Sequence, residues 1–259
     1  MVRSPADSPI TDHCSRPAQR ENAAFTLIEL LVVIGIIGLL MVLIVPAFTS
    51  LRSGTDVTSA AYTIKGVLDT ARTYAKANNT YVWVGFFEEN ISNPPNAGIG
   101  RIVMSIVASR DGTMLYTPPL ITLVTLTPAN LLQVGKLAKI DNVHLKSFAN
   151  PTVTPPPDTF DTRPAVASTA AQIGDTAPPN PSLSFQYPLG SSAQYTFVKA
   201  VQFSPRGEAV IDNSNYTLAP ISEIGVEPTH GAAVPASVPA NVVAVQFTGV
   251  GGDVRIYRR

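Results

Sequence analysis

Glu29 is the first residue whose chemistry demands an explanation. It heads an apolar stretch, in the run Ala24-Phe25-Thr26-Leu27-Ile28-Glu29-Leu30, and no charged residue follows it before Arg52. About 20 apolar residues suffice to cross a bilayer. A carboxylate inside one costs about 2.5–3.5 kcal/mol at the midplane and less near an interface, so Glu29 calls for a partner. The other groups capable of chemistry lie far downstream and form no catalytic constellation. His144 and His230 stand in no metal-ligand or nucleophile motif, and His144, within Val143-His144-Leu145-Lys146, reads as a solvated strand residue. Asp212-Asn213-Ser214-Asn215 offers oxygens but lacks the acidic closure of a calcium loop, so turn chemistry accounts for it. Gly249-Val250-Gly251-Gly252 is followed by a strand-like run, as a hairpin turn is and a nucleotide loop is not. Neither a metal nor a cofactor is expected, and the chain is not expected to be an enzyme.

The C-terminal Arg255-Ile256-Tyr257-Arg258-Arg259 carries the last candidate chemistry. Strand alternation puts Arg255, Tyr257 and Arg259 on one face and Arg258 on the other. Cations with an aromatic can contact a phosphate backbone and stack a base. A charged strand that discourages edge pairing is the simpler reading, and nucleic acid is not the expected partner.

The chain has 259 residues, enough for a sizeable core. Lys plus Arg and Asp plus Glu balance at 18 each, which leaves no global field to attract nucleic acid or anionic lipid. Only 14% of residues are charged, while Pro reaches 23 and Gly 17, the composition of short strands and many turns. Cys14 is the single cysteine, so no intrachain disulfide can form and the fold must hold by its core.

Positioning elements follow from the periodicity. Residues 1–24 are polar, with Arg3, Arg16 and Arg20, and lack the apolar region of an ordinary secretory signal. Basic residues ahead of the apolar run keep the N-terminus cytoplasmic and the rest of the chain outside. Residues 25–52 form the transmembrane and assembly helix, with Pro46 expected to kink or locally melt it. Over 53–79 the helix becomes amphipathic, with Val57, Ala61, Ile64, Leu68, Ala71 and Ala75 drawing one stripe and Asn78-Asn79 as the stop. Residues 80–259 read as a β-rich head. Strands are expected at 80–87, 101–108, 120–126, 143–148, 194–203, 208–211, 242–247 and 254–257, with one short helix over 130–139. Eight of the 31 residues in 151–181 are proline, which marks a long loop or extended, partly disordered insertion, and 228–239 reads as a second surface loop.

The N-terminal residues resemble the prepilin signal of type IV pilins and type II secretion pseudopilins: a polar basic leader, then Ala-Phe-Thr-Leu-Ile-Glu opening an apolar helix. The resemblance implies cleavage between Ala24 and Phe25 by a membrane prepilin peptidase, which also N-methylates Phe25. It makes Glu29 the fifth residue of the mature chain, with Pro46 where many pilins carry a helix-breaking proline. The family nearly always has Gly where this chain has Ala24. Downstream, the Ala-rich helix 60–77, the strand at 81–84, the Phe203-Ser204-Pro205-Arg206-Gly207 turn and the closing hairpin 249–257 are similar to minor pseudopilins of the GspH/FimT type.

The fold implied is α+β and pilin-like, a long N-terminal helix packed on an antiparallel β head. The function implied is a minor pilin or pseudopilin structural subunit of a type II secretion pseudopilus or type IV pilus-like fibre, in which Glu29 pairs with the Phe25 amine of a neighbouring subunit. The implied partners are the prepilin peptidase, other pilin subunits, the inner membrane and the assembly platform. The implied location is a single inner-membrane pass with a periplasmic head, then the fibre. The alternative is a surface pilin whose head binds DNA or another ligand. Family members that take up DNA carry Gly-Arg-x-Arg near this end, whereas the matching stretch here is Gly252-Asp253-Val254-Arg255.

Overall fold

The computed structural model of the chain describes residues 26–151, 160–175, 183–190, 192–211, 213–214 and 217–259, and within the helix the side chains of 42–56 fall outside that description. Ala24, Phe25 and the leader lie outside the described residues, as do 152–159 and 176–182 of the insertion. Among the described residues the architecture is α+β, with one long helix, α1 (Leu27–Ala77), ahead of thirteen strands. The chain divides into two compact units, Met1–Ala47 and Phe48–Arg259.

In the first unit the described residues, Thr26 to Met41, are exposed along the helix, Leu27 at 82% and Leu39 at 67%. Among the described residues no helix is long and apolar enough to cross a membrane. The run whose side chains are described ends at Met41, short of the about 20 residues a crossing needs. Helical backbone continues through Pro46, whose side chain lies outside the description.

The second unit holds the strands: β1 (Val82–Asn90), β2 (Gly100–Ser109), β3 (Val124–Thr125), β4 (Leu131–Gln133), β5 (Ala138–Leu145), β6 (Gln172–Ile173), β7 (Leu183–Tyr187), β8 (Tyr195–Phe197), β9 (Lys199–Phe203), β10 (Ala209–Val210), β11 (Ile221–Pro228), β12 (Val243–Thr248) and β13 (Val254–Arg258). Ten of them form one sheet, ordered β10-β9-β1-β2-β5-β11-β12-β13, with β4 added on β2 and a parallel β6 on β11; β3-β7-β8 form a smaller sheet.

The helical stripe fixes how α1 meets this sheet. Val57, Ala61, Ile64, Leu68, Ala71 and Ala75 are each at most 1% exposed and share one core with Val84, Ile102, Met104, Phe203, Val245 and Phe247. Alanines at Ala60, Ala61, Ala71 and Ala75 bring the helix backbone close to the strands. The helix ends where expected: Asn79 adopts φ 49° and Thr80 N–H closes on Ala75 O at 3.0 Å.

The opposite face of β1 and β2 is covered by the small sheet, with Trp83, Val103 and Val107 packed on Leu183, Phe185 and Phe197. Burial on both faces explains why the sequence from Tyr81 is continuously apolar rather than alternating. Gly85 is required there, since a Cβ would lie 2.5 Å from the Phe185 ring and 2.6 Å from Phe197 Cβ.

Two turns tie the ends of the large sheet together beside α1. Ala209 N–H donates to Gly249 O at 2.8 Å, and a Cβ on Gly252 would lie 2.5 Å from Gly207 O. Gly207 (φ +89°) in turn rests against the Lys76 and Arg72 side chains, and Arg72 pairs with Asp253 at 3.0 Å. The Ser204-Pro205-Arg206-Gly207 turn and the closing hairpin, 45 residues apart between Gly207 and Gly252, thus meet on one stretch of helix.

Several expectations are corrected. The helix expected over 130–139 is β4 and the start of β5, because Leu131 serves the small-sheet core and Val107–Ser109 pair with Leu131–Gln133. The strand expected over 194–203 breaks at Val198 into β8 and β9, which belong to different sheets. Only Val124–Thr125 of 120–126 pairs as strand, since Leu120 N–H is spent on Asn213 O. Strands β6, β7 and the central β11 lie outside the expected strand ranges. The described part of the insertion is packed rather than loose: Phe160, Arg163, Val166 and Ile173 are all buried.

Candidate functional site: the helix N-terminus and the C-terminal strand

Glu29 has an intramolecular partner. Its Oε2 accepts from Thr26 N–H and from the Thr26 hydroxyl, both at 2.8 Å, while Glu29 N–H donates to Thr26 Oγ1 at 3.3 Å. This reciprocal pair is a capping box, which satisfies backbone donors that the first turn leaves open. The carboxylate also sits at the positive end of the helix dipole. The spacing Thr26-x-x-Glu29 ahead of an apolar run is its sequence signal, and the same letters serve the pilin motif. Glu29 is exposed, and among the described residues nothing pairs with its Oε1.

The head gathers buried carboxylates around its sheet. Glu89, 0% exposed, receives Arg101 at 2.7 Å and the Tyr195 hydroxyl at 2.6 Å, with Lys139 beside it at 3.4 Å. Burial pushes the Glu89 carboxyl up, but Tyr195, Arg101 and Lys139 outweigh it and hold the group below its usual range. His144 is not solvated as expected. It is buried with Nδ1 2.5 Å from Glu88 Oε1, which also accepts from Leu145 N–H at 2.9 Å.

Asp175 and Glu227 respond oppositely to pH. Burial raises the Asp175 carboxyl, yet the Lys146 ammonium at 2.6 Å and Ser147 N–H at 2.9 Å pull it down to about 2. Its folded value lies below its unfolded one. Its contribution is therefore present above about pH 4 and lost as pH falls toward 2. Glu227 is raised by burial, so its ionisation opposes folding as pH climbs through the usual carboxylate range. Asp175→Asn should lower Tm at pH 7 and converge on wild type near pH 2. Glu227→Gln should raise Tm at pH 7 and leave it unchanged below about pH 4. Thermal melts of each variant across that range check both signs.

The C-terminal arginines do not converge. Arg259 reaches back to the insertion, 3.8 Å from Asp161 and stacked 5.5 Å from the Phe160 ring centre. Tyr257 packs with Phe148, Phe160, Val242 and Ala244 on the face away from α1. Arg255 is exposed beside Asp253, and Arg258 projects on the other face. Asn213, expected in an oxygen-rich turn, is buried, with its amide donating to Ile211 O and its Oδ1 accepting from the Tyr116 hydroxyl at 2.6 Å; residues 212 and 215 lie outside the described residues. Among the described residues no group of three His, Cys, Asp or Glu could hold a metal ion. His230 closes a small loop bridge with Ala233.

Neither a curated protein nor a solved structure matches the chain. One family does match, the prokaryotic N-terminal methylation motif, over residues 19–45. The match spans the end of the polar N-terminal segment, Ala24-Phe25, the Thr26–Glu29 cap and most of the apolar run. Residues 19–45 therefore carry a prepilin-type signal, that of a type IV pilin or pseudopilin-like subunit.

Proposed function

We propose that the chain is a minor pilin or pseudopilin of the GspH/FimT type. Prepilin peptidase cuts it between Ala24 and Phe25 and methylates the Phe25 amine. The apolar half of α1 holds it in the inner membrane with the head outside, until it joins a type II secretion pseudopilus or type IV pilus-like fibre. Its role is structural rather than enzymatic. The observation that carries this reading is the methylation motif over residues 19–45; on this reading the cut before Phe25 frees an amine four residues before Glu29. The contact between the Ser204–Gly207 turn, the Gly249–Gly252 hairpin and α1 supports the subtype, since it unites the segments that resemble minor pseudopilins.

Cleavage leaves Thr26 as the second residue, so the cap survives processing. Glu29 Oε1 is then available for the methylated amine of a neighbouring subunit. Inside an apolar bundle an unpaired carboxylate costs several kcal/mol, and the pair sets the axial step between subunits. Glu29→Gln separates the two roles, because glutamine also serves in a capping box. We expect both Glu29→Ala and Glu29→Gln to be cleaved and inserted, yet to enter sheared fibres at least about tenfold less than wild type, equivalent to 1.4 kcal/mol. Wild-type incorporation of Glu29→Gln would assign Glu29 to the cap alone.

A further inference from the structure

The free edge of β13 combines unpaired backbone, positive charge and a side-chain cavity. In the β12–β13 ladder, Thr248 N–H donates to Asp253 O and Arg259 N–H to Val242 O, with Val245 opposite Ile256. Antiparallel pairing alternates, so Arg255 and Tyr257 turn their backbone groups toward β12 while Val254 and Ile256 turn theirs outward. Lys65 Nζ takes Val254 O at 3.1 Å. Among the described residues nothing pairs with the Ile256 N–H or C=O, and β13 is the last strand of its sheet. Next to it is a cavity of about 170 Å³ whose lining includes Pro164, Gln246, Asp253, Arg255 and Tyr257. It lies on the sheet face over β11, β12 and β13, bounded by Pro164 of the insertion and reaching Arg255 and Tyr257 of the edge strand.

Edges of this kind are blunted or occupied. Arg255, Arg258 and Arg259 outnumber the neighbouring Asp253 and Asp161, the latter paired with Arg259, so a second β13 is repelled, while an extended strand bearing carboxylates is attracted. Strand addition draws affinity from main-chain hydrogen bonds and specificity from pockets that take alternate side chains. The Ile256 backbone supplies the first and the cavity beside Arg255 and Tyr257 the second. We propose that β13 docks an extended acidic segment of a partner protein by strand addition, with one side chain of that segment seated in the cavity. The assembly reading above bears only on who the partner is, and the N-terminal chemistry that tests that reading is independent of this edge.

The test uses the full chain in detergent and fluorescein-labelled peptides of alternating Glu and Val or alternating Lys and Val, read by anisotropy, with hydrogen exchange at the Ile256 amide. The acidic peptide should bind with salt-sensitive affinity and slow exchange at Ile256, while the basic one should bind at least about tenfold more weakly. Arg255→Glu should weaken the acidic peptide at least tenfold. Ile256→Pro removes an outward N–H without touching the β12 ladder, a position where an edge strand tolerates proline, and should abolish binding. A circular dichroism melt confirms that each variant is folded, and Arg255→Glu, an exposed change, carries the test if Ile256→Pro is not. The proposal is overturned if the acidic peptide does not bind, if Arg255→Glu leaves its binding unchanged, or if a single-stranded oligonucleotide binds this edge and displaces it.

Discussion

Replacing Arg163 with alanine should destabilise the folded chain by about 3–5 kcal/mol, the cost of leaving a buried carboxylate without its cation. Arg163 is 4% exposed and comes from the proline-rich insertion, yet its Nε sits 3.0 Å from Glu223 Oε2 in the central strand β11. Its remaining donors go to Phe160 O and Ala149 O, and its plane lies 4.0 Å from the Phe160 ring centre. Glu223 is also held by Gln172 at 3.3 Å and Gln246 at 2.8 Å. Those two neutral donors cannot replace a charge. In a domain of this size each kcal/mol moves Tm by about 2–4 °C, so Arg163→Ala should melt about 10 °C lower. Arg163→Met combined with Glu223→Leu should recover most of the loss, because an apolar pair of similar volume removes both desolvation costs. A loss under about 1 kcal/mol for Arg163→Ala would mean that the insertion is not locked onto the sheet.

Gly225→Ala should be of comparable severity for a steric reason. Gly225 sits in β11, with its carbonyl accepting Lys146 N–H at 2.9 Å. A Cβ there would fall 1.9 Å from Lys146 O and 2.7 Å from the Phe148 ring. The first obstacle is backbone, which no rotamer change can clear. Overpacking against movable side chains costs about 1–3 kcal/mol, and this site should exceed that. Gly66→Ala is the matched control. It lies mid-helix with nothing within 4 Å of its Cβ position, so it should gain about 1 kcal/mol from helix propensity. Chemical denaturation of both variants reads the contrast directly.

These two sites show where the sequence was legible and where it was not. The helical stripe from Val57 to Ala75 could be read because one period of 3.6 governed every position in it. Strands β1 and β2 could be read because both faces are apolar. Strand β11, Ile221-Ser222-Glu223-Ile224-Gly225-Val226-Glu227-Pro228, could not, because two of its residues are carboxylates and it ends in proline. Their compensation is distant: Arg163 is 60 residues from Glu223 in the chain. His144 reads as solvated for the same reason, since Glu88, 56 residues away, makes its burial tolerable. Local chemistry was clearer. The methylation motif, the Asn79 helix stop and the Gly249–Gly252 turn each depend on a few adjacent residues. The Thr26–Glu29 cap is equally local, though its letters served two purposes at once.

The central claim is that Ala24-Phe25 is a cut site and that the freed Phe25 amine is methylated to meet Glu29. Mass spectrometry of the N-terminal peptide, from chain expressed with a prepilin peptidase, tests it most directly. The account predicts a mature chain beginning at Phe25 and carrying one added methyl group. A chain that retains its leader through to Ala24 under those conditions would contradict it.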